Sequence, residues 1–352
     1  MARWRLKEEP FKEAVVIGGK KIACGAIILR EEFYMQEQQP EVVVIGDAMM
    51  DYQYWVKEMP KAGEDVPLLR SCMNSGGSGA NSAIALAYLQ VKSCFCGRIG
   101  QDKIGKEIVR GIEETGVDCS CVQYGEKTGY TLTIIDAQGE RTMFSFRGCN
   151  EEPLEETPGL LSTIKNAKIL LLSGYLLLNS QQAAFAIHMA GFAREHGVFV
   201  ALDTAPTIDL VPFPVVDEIL NLTDLLFPNE RELQIVSGKS SSAEGLAIIS
   251  KKVPCVALKQ GSAGSTVMIR KGFRPIVGND FGQAEQFSVK ATPVQAVDTT
   301  GAGDSFNAGF IASFLKDRHP RQGLSAGNGL ARKVVLQQGA ISLFTQGHQA
   351  DI

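Results

Sequence analysis

The chain has 352 residues, enough for one large α/β domain or two smaller ones, and its 45% hydrophobic and 21% charged residues are ordinary for a soluble globular protein. The formal net charge of −4 provides no basic field, so neither nucleic acid nor a membrane surface is an expected partner. No apolar run reaches the roughly 18–20 residues that span a bilayer, and charges interrupt the N-terminal residues where a secretory signal would lie, so we expect a cytoplasmic protein.

Residues 1–40 are predicted to form an N-terminal extension. Two short apolar runs, 14–17 and 22–28, flank Gly18-Gly19-Lys20-Lys21, a pattern that favours a β-hairpin. The charged and Gln-rich run 30–39 favours a linker or a short exposed helix. Disorder of the whole extension is the alternative.

The first buried strand is predicted at 41–46, where a β-branched run ends in glycine. Asp51 follows it closely, with Asp47 as a neighbouring alternative. Ligands of open α/β sheets bind beyond the carboxyl ends of the strands, so a carboxylate here is a candidate for substrate binding. A loop aspartate that is solvated or caps a helix is the other interpretation.

A glycine-rich turn comes next and reads Ser75-Gly76-Gly77-Ser78-Gly79-Ala80-Asn81. It leads into a helix predicted at 83–89. Glycines allow a ligand to approach the backbone without a Cβ in the way, and Asn81 offers an amide for hydrogen bonding. A flexible loop before a capped helix is the alternative.

The eight cysteines include two C-x-C pairs, Cys94 with Cys96 and Cys119 with Cys121. The usual zinc-binding spacing is C-x₂-C, whereas C-x-C on a strand only places both thiols on one face. Buried, reduced thiols are therefore favoured over a metal site.

Alternating polar and apolar residues at 128–136 and 141–146, on either side of Gln138-Gly139, predict a second β-hairpin. Arg147 follows directly. It is either a substrate contact or one partner of a surface ion pair.

From residue 41 onward strands and helices alternate, which is typical of a parallel sheet with helices on both faces. Further strands are predicted beyond residue 167. Polar residues follow two of these strands: Asn229-x-x-Glu232 after one, and Lys259 with the turn Gly261–Gly264 after the next. A final helix is predicted to begin at Gly327-Asn328-Gly329 and to end near Gly339.

The most informative stretch is Val297–Gly309. Phe306, Phe310 and Phe314 recur every four residues after a short glycine turn, which predicts a helix that begins at the turn. First-turn amides have no intrahelical partners and, with the helix dipole, form an anion site. Asp304 then places a carboxylate where an anion should bind. This suits a base that takes a proton from a hydroxyl attacking a bound phosphate, and an N-terminal helix cap is the alternative.

The sequence DTTGAGDSFNAGF at 298–310 resembles the C-terminal signature of the ribokinase-like (PfkB) carbohydrate kinases. The turn at 75–82 resembles the N-terminal signature of that family, GGxxxN before a small-residue helix. The resemblance covers about residues 41–345 and leaves a tail at 346–352. It implies a three-layer αβα sandwich with a mostly parallel central sheet and a small β lid, with lid strands near 53–73 and 128–147.

The resemblance also implies transfer of the ATP γ-phosphoryl group to a hydroxymethyl group of a sugar or sugar-like alcohol. Asp304 would be the base, and backbone amides of the turn would stabilise the transferring phosphoryl group. The amides are those of Gly301, Ala302 and Gly303. The implied acceptor-binding residues are Asp51, Gly76, Gly77 and Asn81, with Arg147 as a further candidate.

The residues implied for the nucleotide are Asn229, Glu232, Lys259, Gly261, Gly264 and Asn328. Glu232 would contact Mg²⁺ through water, in keeping with the hydration that this ion retains. Asp298 and Thr300 match the usual ligands of a monovalent cation, which makes activation by K⁺ a hypothesis. Relatives commonly dimerise through the lid strands, so a homodimer is an expectation.

The acceptor stays open among ribose, fructose, 2-keto-3-deoxygluconate and a nucleoside. Ser78 stands where a lysine often occurs in the family, which favours an unphosphorylated acceptor. The alternative from another class is a catalytically silent regulator that binds sugar or nucleotide, but such a protein would be expected to lose Asp304 or the glycines. A dinucleotide-dependent oxidoreductase lacks support, because Gly46-Asp47-Ala48-Met49 does not supply the G-x-G-x-x-G turn.

Overall fold

The computed structural model describes residues 14–17, 20–23, 39–276, 280–316 and 319–345. By contacts between Cα atoms the chain divides into two compact units, Met1–Gln39 and Pro40–Ile352.

In the first unit, Ala14–Ile17 (β1) pairs antiparallel with Lys20–Ala23 (β2). Residues 30–38 of the run predicted as a linker or short helix lie outside the described residues.

Two main sheets make up the second unit. Its strands are β3 (Val42–Ile45), β4 (Met49–Trp55), β5 (Arg70–Gly76), β6 (Ser93–Cys96), β7 (Arg98–Gly100), β8 (Gln123–Gly125), β9 (Tyr130–Ile135), β10 (Arg141–Phe146), β11 (Ile169–Ser173), β12 (Phe199–Asp203), β13 (Leu225–Phe227), β14 (Cys255–Lys259), β15 (Ser265–Ile269) and β16 (Glu285–Val289).

The larger sheet has the order β16-β15-β14-β13-β12-β11-β3-β6. All of its neighbouring pairs are parallel except the two that involve β15, which are antiparallel. The smaller sheet, called the lid here, has the order β10-β9-β4-β5. These two sheets confirm the predicted α/β fold with a mostly parallel central sheet and a small β lid.

Helices cover both faces of the larger sheet. They are α1 (Ser78–Tyr88), α2 (Lys103–Glu113), α3 (Pro158–Asn166), α4 (Ser180–Glu195), α5 (Phe213–Leu222), α6 (Glu230–Ser237), α7 (Ser242–Ile249), α8 (Ala302–Phe314) and α9 (Pro320–Val334). None of the helices in the described residues is long and apolar enough to cross a membrane.

The core is divided between these two faces because successive strand residues point in opposite directions. Val42 and Val44 of β3 pack in one cluster with α1, α2, α8 and α9, whereas Val43 and Ile45 pack in the other with α3 to α7. A strand buried on both faces is apolar throughout, which explains the continuous β-branched run seen in the sequence.

Helix α8 contains the predicted aromatic face. Phe306, Phe310 and Phe314 are all buried, and the ring of Phe310 lies edge-on to Phe227 of β13 with centroids 5.4 Å apart. This contact fixes α8 across the sheet, with its first turn at the carboxyl ends of the strands.

The predicted start of the final helix at residue 327 is wrong. Helix α9 begins at Pro320, where proline suits a first-turn position and the His319 side chain accepts a hydrogen bond from the Arg321 amide. Gly327 lies inside the helix because α8 and α9 pack closely. A Cβ on Gly327 would lie 2.7 Å from the Phe306 ring, and one on Gly309 would lie 2.8 Å from the Ala326 carbonyl.

Replacing Phe310 by alanine should lower the free energy of unfolding by about 3–5 kcal/mol, because it leaves a cavity between α8 and the sheet. Chemical denaturation followed by far-UV circular dichroism would measure the change. Phe213→Ala is the matched control, since Phe213 is 67% exposed, and its effect should stay below about 1 kcal/mol. Equal losses in the two variants would contradict this account of the core.

Candidate active site

The first turn of α8 lies beside residues from neighbouring parallel strands of the larger sheet. Asp203 ends β12 and Lys259 ends β14, while Asn229 follows β13 and begins α6. The carboxyl ends of parallel strands are where ligands bind in such sheets.

Gly301 precedes α8 in the left-handed conformation, with φ of 74°. Only glycine adopts this conformation readily, and a Cβ here would also lie 2.6 Å from the Cβ of Ala340. The Ala302 amide donates to the Thr299 carbonyl at 3.2 Å, so the expectation that it is free to bind a phosphate is wrong. Within the described residues, the amides of Gly301, Gly303 and Asp304 have no acceptor.

The Asp304 carboxylate accepts two hydrogen bonds from the other helix that begins at the site. The Ser78 hydroxyl donates to Oδ1 at 2.9 Å, and Asn81 Nδ2 donates to Oδ2 at 2.8 Å. Burial, and next the charge of Asp203, raise the pKa of Asp304 to about 7, against the opposing effects of these two hydrogen bonds and of Lys259. A carboxylate with this pKa is a far stronger base than an ordinary aspartate.

Lys259 provides a cation beside the anion-binding turn. Its Nζ donates to Asp203 Oδ1 at 2.7 Å and to Asn307 Oδ1 at 3.5 Å, and a Cβ on Gly303 would lie 3.6 Å from it. Burial lowers the pKa of Lys259, but the carboxylates of Asp203 and Glu232 outweigh burial and raise it. The ammonium group therefore stays charged where a phosphate would approach the turn.

The Asn229-x-x-Glu232 motif forms a capping box at the start of α6. Asn229 Oδ1 accepts from the Glu232 amide, and Glu232 Oε2 accepts from the Asn229 amide at 2.9 Å. Glu232 also accepts from the Asn229 side chain at 2.7 Å and from the Thr204 hydroxyl at 2.6 Å. Its carboxylate is 2% exposed, and burial raises its pKa.

These contacts limit how a metal could bind. The described residues contain no cluster of three or more His, Cys, Asp or Glu side chains around one point. The residues present fit Mg²⁺ that is held mainly by phosphate oxygens and water, because this ion keeps several of its waters. Glu232 and Asp203 would then act on the hydration shell.

The acceptor side of the candidate site lies between the lid and α1. The backbone of Asp51 in β4 pairs with β5 and β9, but its carboxylate has no hydrogen-bond partner among the described residues. Burial, followed by the charge of Asp298, raises its pKa to about 6. Gly76 leaves room for the Asp51 carboxylate, which a Cβ there would contact. Asn81 Oδ1 is buried and also without a partner. An acceptor hydroxyl would satisfy both groups.

Gly77 has a backbone reason to be glycine. Its φ of 98° is left-handed, and a Cβ would lie 2.5 Å from the Asp47 carbonyl. The glycine therefore permits α1 to begin against the end of β3, which sets the position of Asn81.

Arg147 forms a buried ion pair, which the sequence left undecided. Its Nη2 lies 2.7 Å from Asp47 Oδ2, and its guanidinium lies 5.5 Å from the centroid of the Tyr175 ring. The two side chains are 18% and 5% exposed. Burial raises the pKa of Asp47 although Arg147 opposes it.

Asp298 is enclosed by donors. The amide and hydroxyl of Thr300 donate to Oδ1 at 3.0 and 2.7 Å, and the Gly339 amide donates to Oδ2 at 3.1 Å. Arg141 of the lid donates to Oδ1 at 3.2 Å. Burial raises the pKa of Asp298, but these hydrogen bonds outweigh it and lower the pKa. The pair Asp298 and Thr300 does not fit a K⁺ ligand set on this side, because a guanidinium already neutralises the carboxylate.

Two of the residues predicted to bind the nucleotide, Gly264 and Asn328, lie at the end of β16. Asn328 Nδ2 of α9 donates to the Val289 carbonyl at 3.1 Å. Gly264 has φ of 109°, and a Cβ there would lie 2.6 Å from the Ala291 amide. Gly261 begins the short 3₁₀ turn Gly261–Ala263 just before it.

Several residues of the site were not singled out from the sequence. Asp203 could have been found, because it follows a predicted strand just as Asp51 does. Ser78 was noted only because a lysine often occurs at its position in the family. Nothing in the sequence indicated that Asn307, whose Nδ2 is buried without a partner, belongs to the site. Arg141 had none, because its contact with Asp298 joins residues 157 positions apart.

Comparisons with known proteins found relatives of similar sequence and fold. A family model described as pfkB family carbohydrate kinase matches residues 39–346. The ribokinase of Haemophilus influenzae is 30% identical over 86% of this chain and 94% of its own length. The ATP-dependent ribose-1-phosphate kinase of Halopiger xanaduensis is 30% identical over 86% and 95%. The structure of Arabidopsis thaliana ribokinase complexed with ribose and ATP aligns with a TM-score of 0.74 at 28% identity, covering 86% and 95% of the two chains.

The raised pKa of Asp304 makes the protein less stable at neutral pH. The unfolded chain loses this proton near pH 3.9, whereas the folded chain keeps it until about pH 7. The free energy of unfolding of the wild type therefore falls as the pH rises between these values. The free energy of unfolding of Asp304→Asn, relative to wild type, should rise by at most about 4 kcal/mol between pH 4 and 7.

Denaturant titrations at several pH values would measure that difference. Asp209→Asn is the control for loss of an aspartate elsewhere in the protein, since Asp209 forms an exposed ion pair with Arg231. A difference for Asp304→Asn that does not change between pH 4 and 7 would contradict the raised pKa.

Proposed function

Because the chain belongs to the PfkB family of carbohydrate kinases and is an ATP-dependent kinase, we propose that it phosphorylates a hydroxymethyl group of a neutral sugar, with ribose as the first candidate acceptor. The observation that carries the proposal is the Asp304 carboxylate, held by Ser78 and Asn81 beside the free amides of α8. The ribokinases of similar sequence and structure support ribose.

In this proposal Asp304 takes the proton of the attacking hydroxyl. A base whose pKa lies near the working pH combines the right protonation state with enough basicity, and a pKa of about 7 meets this condition. The hydroxyl would be oriented by Asp51 and by the unpaired Oδ1 of Asn81.

The transferring phosphoryl group would be stabilised by the α8 turn and the groups beside it. The amides of Gly301, Gly303 and Asp304 point at no protein acceptor among the described residues, and Lys259 adds a positive charge. Mg²⁺, when bound, would neutralise phosphate charge. Asn307 Nδ2 is a further donor for a phosphate oxygen.

The charges around the acceptor favour a neutral molecule. Arg147 is already neutralised by Asp47, and Ser78 offers a hydroxyl in place of a lysine. An acceptor with its own phosphate or carboxylate would add a negative charge near Asp51 and Asp304. The arrangement therefore favours ribose or fructose over 2-keto-3-deoxygluconate and over a sugar phosphate, and a nucleoside stays an alternative.

Turnover of ATP with Mg²⁺ should be seen with one neutral sugar in a panel of sugars, sugar acids, sugar phosphates and nucleosides. Asp304→Asn should reduce kcat by about 10²–10⁴, the usual contribution of a general base, while ATP affinity by calorimetry is kept. The acidic limb of the wild-type rate profile should fall near pH 7. Full activity of Asp304→Asn would show that the base is another group.

The acceptor itself decides between the candidates. If a nucleoside is the one compound in the panel that is phosphorylated, the acceptor is a nucleoside and not a free sugar. If ATP binds but nothing in the panel is phosphorylated, a non-catalytic binding role is favoured. Asp209→Asn again serves as the control for an unrelated aspartate, and it should retain wild-type kcat.

We also propose that the protein forms a homodimer through the lid. Strand β10 lies at the edge of the lid sheet, and all six of its residues are exposed, including Met143, Phe144 and Phe146 at 61%, 55% and 44%. An exposed apolar edge strand tends to pair with another chain. The exposed apolar side chains of β10 would be buried by a second lid.

Phe144→Glu should convert this dimer to monomers in light scattering coupled to size exclusion, because it would bury a charge in an apolar contact. Tyr124→Glu, at a residue that is 52% exposed outside the lid, should leave the mass unchanged. A monomeric wild-type protein at micromolar concentration would rule out the dimer.

A further inference from the structure

We propose that Arg141 of the lid, and not a monovalent cation, is the counter-charge of Asp298 when the lid is closed, and that it thereby links lid closure to the phosphate-binding turn. The inference rests on the proposed function, because it assigns a purpose to the loop that carries the turn. It also gives Arg141 a role that the sequence did not indicate.

The contacts of Asp298 carry the first step. Oδ1 accepts from the amide and hydroxyl of Thr300 and from Arg141, and Oδ2 accepts from the Gly339 amide. The Asp298 side chain is 5% exposed, whereas that of Arg141 is 37% exposed. A buried carboxylate needs a compensating charge, and Arg141 is the one cationic side chain within ion-pair distance of it in the described chain.

The second step concerns which face of the lid Arg141 occupies. Arg141 of β10 pairs with Ile135 of β9, which in turn pairs with Trp55 of β4. Asp51 and Gln53 share the face of Trp55, because they alternate along β4. Arg141 therefore extends from the same face of the lid that carries the candidate acceptor-binding aspartate.

A second lid contact reaches the same region. Gln338 Nε2 donates to Gln53 Oε1 at 3.3 Å, and Gln338 is next to Gly339, whose amide binds Asp298. The lid thus touches both segments that meet at Asp298.

These segments form the frame of the phosphate-binding turn. The amide of Val297 donates to the Val335 carbonyl, and Gly301 packs on Ala340. When Arg141 binds Asp298, its charge holds together the segment that enters the turn and the segment that supports it. Opening of the lid would remove that charge and leave Asp298 with neutral donors only. Arg141 is a positioning residue in this scheme, since it contacts no reacting atom.

The test compares ATP affinity in KCl and in tetramethylammonium chloride at equal ionic strength, by calorimetry without an acceptor. Wild type should bind ATP equally in both salts, within about twofold, because its cation is built in. Arg141→Gln should bind roughly tenfold more weakly in tetramethylammonium, the loss expected for a charge-assisted hydrogen bond, and K⁺ should restore part of the affinity.

Two further variants separate positioning from general damage to the lid. Arg141→Lys keeps the charge and should retain most of the affinity in both salts. Arg70→Gln is the matched control, because Arg70 lies in the lid with its guanidinium 4.8 Å from the centroid of the Trp55 ring, and it should match wild type. In steady-state kinetics Arg141→Gln should raise the KM for ATP more than it lowers kcat.

Either of two results would overturn the inference: a wild-type protein whose ATP affinity needs K⁺, or an Arg141→Gln variant that matches wild type in both salts. The wild-type measurement stands even if the variant does not fold. Because ATP binding requires no turnover, a protein that phosphorylates nothing in the acceptor panel still tests this inference. Conversely, turnover that depends on K⁺ would contradict the role of Arg141 as the counter-charge of Asp298, but it would not contradict the proposed kinase activity.

Discussion

The site depends on the burial of one carboxylate between two helix starts. Asp304 sits in the first turn of α8 and is held by Ser78 and Asn81 from the first turn of α1. These residues are 226 and 223 positions away in the chain, so only the folded sheet brings them together. Two opposing effects act on the carboxylate: loss of water destabilises its charge, and two hydrogen bonds stabilise it. Burial prevails, and the group is left ready to accept a proton.

The Asp304 carboxylate is surrounded by further charged side chains. Lys259 lies among Asp203, Glu232 and Asp304, and its ammonium group interacts with all three carboxylates. Glu232 is held by the α6 capping box and by Thr204, so it cannot turn toward Lys259 freely. A region with three acids and one base attracts cations and repels bare phosphate, which agrees with a nucleotide that arrives as its magnesium complex.

Much of the architecture could be predicted from local pattern. The run 41–46, buried on both faces, and the alternation along β9 and β10 identify their strands directly, because side-chain period follows from backbone geometry. The position of Asp304 followed from the glycine turn and the aromatic spacing after it. The start of α9 could not be found in this way, since Gly327 indicates a turn in sequence but allows close helix packing in the structure. Contacts such as Arg141 with Asp298 depend on how the lid lies over the sheet, and no local signal contains that information.

The contact between α8 and α9 has a mechanical consequence. Gly309 lies against the backbone of Ala326 and Gly327, and Gly327 lies against the Phe306 ring and carbonyl, so the two helices cross with no room for a further side chain at either glycine. A close-packed contact of this kind leaves little free space to absorb a shift of one helix against the other. The two helices are therefore expected to move together. Asp304 lies in the first turn of α8, and Asn328 of α9 donates to the Val289 carbonyl. A displacement of the strand end at Val289 would therefore also shift Asp304.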